Sequence, residues 1–65
     1  MRLEYKNLII YTKIENSFGD QLITVCDSSE NVICQLSNPE GFHFQGSKRE
    51  CEHIYDYCSV FKHKE

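Results

Sequence analysis

A chain of 65 residues with 40% hydrophobic and 26% charged side chains has the composition of one small globular domain, residues 1–65, and excludes a disordered chain. Its net charge of −3 comes from ten acids scattered along the sequence, which excludes the basic stripe of a nucleic-acid binder. A domain this short buries only about 60% of the surface its unfolded form exposes, so such chains commonly recruit a disulfide set, a metal or a partner.

At the start, MRLEYKNLII, the apolar run from Leu8 to Tyr11 is too short for a signal-peptide core or a membrane span. The expected location is the cytoplasm, with no membrane contact and with Cys26, Cys34, Cys51 and Cys58 reduced. Three strands follow from the pattern: residues 3–15, 21–27 and 32–37. Asn16-Ser17-Phe18-Gly19-Asp20 and Ser28-Ser29-Glu30-Asn31 turn the chain between them, and Asn38-Pro39 ends the third, since proline cannot donate to a ladder. The short connections predict an antiparallel meander.

A helix follows in the last third. Ser47 and Glu50 have the spacing of a capping box, in which each side chain satisfies a backbone amide at the helix start. Cys51, Ile54, Tyr55, Cys58 and Phe61 then form one apolar stripe. Arg49, Glu52, His53, Asp56 and His63 fall on the opposite side. The fold class is therefore α+β: a three-stranded antiparallel meander with one C-terminal amphipathic helix packed on one sheet face.

A register pairing Ile14 with Leu22 and Cys26 with Cys34 gathers Leu8, Ile10, Ile14, Leu22, Cys26, Val32, Cys34 and Leu36 on one face. The other face then carries Ile9, Tyr11, Ile23, Val25 and Ile33. One helix covers one face only. Five exposed apolar residues would forgo roughly 1.5–3 kcal/mol each in burial, which predicts a homodimer or larger assembly on that face or on an exposed sheet edge. The alternative is that the loop over residues 38–46 folds across it, with Phe42 and Phe44 as cover.

The cysteine spacing, C-x7-C-x16-C-x6-C, has neither a CxxC nor a zinc-knuckle pair. A four-cysteine zinc module between sheet and helix and a Cys26–Cys34 disulfide are the alternatives to plain packing, and packing is the reading adopted, since cysteine behaves as a small hydrophobe. No catalytic residue, metal ligand or cofactor is assigned. A thiolate nucleophile needs a histidine and a cleft, whereas Cys51 points inward. The one alternative ligand site is Phe42, His43, Phe44, Gly46, Ser47, Lys48 and Arg49, where helix amides and two cations suit a nucleotide-like anion and the aromatics suit a ring.

The segment LITVCDSSENVICQL, a short loop and SKRECEHIYDYC together resemble a sheet-plus-helix module of small bacteriophage proteins, over residues 22–61. Asp27 and Asn31 match its hairpin turn, and Cys51, Ile54, Tyr55 and Cys58 occupy its apolar helix positions. The turn glycine and helix alanines usual in that module are absent. The resemblance implies a phage-type binding protein in the host cytoplasm that inhibits or adapts a host factor or defence complex through protein contacts.

Overall fold

The computed structural model describes residues 1–39 and 41–62, with side chains described as far as Ser59. His63 and the side chain of Phe61, both assigned to the helix from the sequence, lie outside that range. The elements are β1 (Arg2–Tyr5), β2 (Leu8–Ile14), β3 (Gln21–Cys26), β4 (Val32–Asn38) and α1 (Lys48–Lys62). The strands form one antiparallel sheet in the order β1-β2-β3-β4, and the helix packs on one of its faces. The α+β architecture and the meander agree with expectation, but the described residues form four strands, not three. Residues 3–15 break into two strands at Lys6-Asn7, where Lys6 takes a left-handed φ of 53° and Tyr5 pairs directly with Leu8.

Side chains close the other two hairpins. Asn16 Oδ1 accepts from the amides of Phe18 at 3.0 Å and Asp20 at 3.3 Å, and Gly19 supplies the positive φ of 86°. Asp27 Oδ1 accepts from the amides of Ser29 and Asn31, both at 2.9 Å. These turns end in the pairs Ile14–Gln21 and Cys26–Val32.

The register is one residue away from the predicted one, and this overturns the predicted faces. Ile10 pairs with Val25, and Val25 with Cys34. The period of two then places Leu8, Ile10, Ile23 and Val25 together beneath the helix, each no more than 2% exposed, with Phe44, Cys51, Ile54 and Cys58 closing the core. Ile23 and Val25 are thus core residues and not interface residues. A one-residue slip moves every side chain of a strand to the opposite face. Ile33 is the extra residue of a β-bulge opposite Val25 and Cys26, and it packs half-buried against the core. Of the five predicted interface residues, Ile9 and Tyr11 alone remain on the outer face.

That outer face is mainly polar. Ile9 and Cys26 pair across its centre and are buried, at 7% and 3% exposure. Around them Tyr11 donates to Glu30 at 2.6 Å, Gln35 to Thr24 at 3.2 Å and Ser37 to Glu15 at 2.9 Å. Arg2 pairs with Glu4 at 3.2 Å and lies over the Tyr11 ring. The loop does not cross this face either: Phe44 plugs the helix side, and Phe42 is 74% exposed.

The register makes a sharp prediction. Val25→Lys puts an unpartnered charge in the core and costs about 4 kcal/mol or more, on the order of the whole stability of a chain this small. Thr24→Lys, one residue away on the polar face, changes stability by about 0.5 kcal/mol. Thermal unfolding followed by circular dichroism separates the two, and the slipped register predicts the reverse order.

Candidate functional site

The helix start forms as its spacing predicts. Ser47 Oγ accepts from the Glu50 amide at 3.2 Å, while the Glu50 carboxylate accepts from the amides of Ser47 at 3.0 Å and Gln45 at 3.1 Å. These bonds, with the Ser47 amide foremost, hold the Glu50 carboxyl below the usual carboxylate range. One of the first-turn amides that an external anion would use, that of Glu50, is therefore already taken by the Ser47 hydroxyl.

The predicted ligand residues do not converge on one pocket. The buried Gln21 side chain accepts from the Phe44 amide at 2.6 Å, which seats Phe44 in the core. The His43 ring donates through Nε2 to the Gly19 carbonyl at 2.5 Å, tying the loop before α1 to the β2–β3 turn. Gly46 has a φ of 83°, and a Cβ there would lie 3.2 Å from the Leu3 side chain. Phe42, Ser47, Lys48 and Arg49 are exposed.

The cysteines do not gather either. Cys26 lies on the outer face, away from Cys34, Cys51 and Cys58, so neither the four-cysteine zinc arrangement nor a Cys26–Cys34 bridge forms. No disulfide joins the four cysteines. Cys51 and Cys58 are core residues, at 3% and 1% exposure. Burial raises the thiol pKa of Cys26 and Cys51 above the ordinary value. Among the described residues no group of three or more His, Cys, Asp or Glu side chains is arranged to hold a metal ion, and no helix is long and apolar enough to cross a membrane.

What the packing does create is a groove between α1 and the end of β4, about 590 Å³ in volume. Its floor is Ile23, Leu36, Phe44 and Ile54, and its rim includes Asn38, Arg49, His53 and Tyr57. Of the residues read from the sequence as ligand-binding, Phe44 and Arg49 take part. Leu36, His53 and Tyr57 were not among them, because the groove exists only once the helix lies on the sheet. The apolar floor with a few converging polar groups is the usual composition of a binding site.

Glu52 is a second residue whose role the sequence hid. Its place on the polar side of the helix suggests a solvated carboxylate, yet it accepts from the Tyr5 hydroxyl and pairs with Lys6 at 3.2 Å. The Lys6 ammonium also lies 4.4 Å from the centre of the Tyr55 ring. This cluster ties the β1–β2 hairpin to α1. Compared with known proteins, the chain matches no family model, no curated protein and no solved structure.

The Tyr5 hydroxyl first, and then Lys6, hold the Glu52 carboxyl below its ordinary value. A depressed carboxyl pKa contributes stability above the unfolded value, about 4.3, and loses it as the pH falls through the folded one. The wild type is therefore expected to exceed Glu52→Gln in stability at neutral pH, with the gap closing below about pH 4. Urea titrations of both proteins across that range check this, and a gap independent of pH would contradict it.

Proposed function

We propose that this chain is a non-enzymatic protein-binding module, acting as an inhibitor or adaptor, that captures an extended segment of its target as an added strand beside β4. The observation that carries this reading is the pairing of an edge strand with the adjoining groove. At its Leu36–Asn38 end, β4 borders a cavity with an apolar floor. Main-chain bonds to a free strand edge supply affinity, and alternate side chains entering a neighbouring groove supply specificity. The other edge, β1, is only four residues long and carries Arg2 and Glu4, which blunt it against pairing. The bulge at Ile33 twists the opposite end of β4 in the same way. Arg49 on the rim favours a segment with a carboxylate. The phage resemblance supplies the target class, a host factor or defence complex. An anion at the helix start has less support, since the Ser47 hydroxyl takes the Glu50 amide and the candidate residues there do not line one pocket.

A second copy of the chain is the competing occupant of the edge. Peptides selected from a displayed random library provide the probe. Hydrogen exchange with a selected peptide is expected to show new protection at residues 36–38 and along the rim, and Tyr57→Ala or Arg49→Glu is expected to weaken binding roughly tenfold. Protection confined to Tyr11, Thr24 and Gln35 would overturn the reading. Sedimentation as a dimer, with residues 36–38 protected in the absence of peptide, would assign the edge to self-association.

A further inference from the structure

The core brings two cysteines from opposite sides of the fold into contact. Cys34 on β4 and Cys58 on α1 have their sulfurs 3.0 Å apart. A disulfide bond is about 2.05 Å long, so closure needs a movement of only about 1 Å. Cys58 is 1% exposed, whereas Cys34 is half-buried on the edge strand β4. The other two cysteines have no such neighbour. Cys26 is on the far face of the sheet, and Cys51 lies two helical turns before Cys58 with its sulfur 3.9 Å from the Gly46 carbonyl.

We propose that Cys34 and Cys58 form an oxidation site, a dithiol that closes to an intramolecular disulfide when the chain meets a peroxide. The peroxide oxidises the Cys34 sulfur to a sulfenic acid and is itself reduced, releasing one water. The Cys58 sulfur then attacks the Cys34 sulfur. The S–S bond forms, the S–O bond breaks, and the departing hydroxide takes up the Cys58 proton as a second water. Two thiols give up two protons and two electrons, and one peroxide becomes two waters. Cys26 lies on the far face of the sheet and the Cys51 sulfur faces the Gly46 carbonyl, so closure is confined to the pair whose sulfurs touch. The bond ties the edge strand to the helix and restricts the unfolded chain between positions 34 and 58. The proposal requires no binding partner and does not depend on the role of the groove.

Purified protein treated with hydrogen peroxide tests it. Intact mass is expected to fall by two hydrogens per chain, and peptide mapping is expected to find Cys34 joined to Cys58, with Cys26 and Cys51 still alkylatable after unfolding. The unfolding temperature is expected to rise by roughly 10 °C and to return on reduction. Cys26→Ala should retain the mass loss and Cys34→Ala should abolish it. Should Cys34→Ala fail to fold, the wild-type peptide map decides. Oxygen added at Cys34 without a cross-link, a bond involving Cys26 or Cys51, or a bond between two chains would each overturn the proposal.

Discussion

In a β-strand successive side chains point to opposite faces, so the pairings Ile10–Val25 and Val25–Cys34 determine everything the sheet buries. They bring Leu8, Ile10, Ile23 and Val25 onto the face under the helix and leave Tyr11, Thr24 and Gln35 on the other. With its large aliphatic side chains concentrated on one side, the sheet needs only one covering layer, and one amphipathic helix suffices. The side chains of Asn16 and Asp27 hold the hairpins that set this register. Two polar turn residues thus control the composition of the core.

The helix is fixed at several points besides its apolar stripe. Glu50 and Ser47 close its first turn, Gln21 seats the preceding Phe44, and Glu52 reaches across to Tyr5 and Lys6. The last contact ties α1 to the β1–β2 hairpin. At the Leu36–Asn38 end of β4 the seam between strand and helix opens into the groove. Both proposals rest on that seam. One end of the seam offers an edge strand beside an apolar cavity, and further along β4 and α1 bring Cys34 against Cys58. The proposed binding and the proposed oxidation are separate uses of one boundary between sheet and helix.

The helix, its cap and the antiparallel meander were legible because each rests on a local signal: Ser47 with Glu50, the stripe from Cys51 to Cys58, and the polar turns. The Lys6-Asn7 turn was not. Leu3, Tyr5, Ile9 and Tyr11 keep one alternation running across it, which hides the change of phase from Leu3 and Tyr5 to Leu8 and Ile10. Register was also beyond the sequence, because runs such as LIIY and LITVC place an apolar residue on either face whichever way they pair. The groove depends on the helix's position across the sheet, which no local pattern encodes. Of the predicted ligand residues, Phe44 and Arg49 reach it, whereas His43 is taken up by Gly19.

Placing the core, the polar outer face and the open β4 seam all depends on one residue of strand register. Nuclear magnetic resonance of the labelled protein measures that register directly, through cross-strand Hα–Hα and amide contacts. The account predicts contacts joining Ile10 to Val25 and Val25 to Cys34. Contacts joining Cys26 to Cys34 and Ile14 to Leu22 in their place would contradict it.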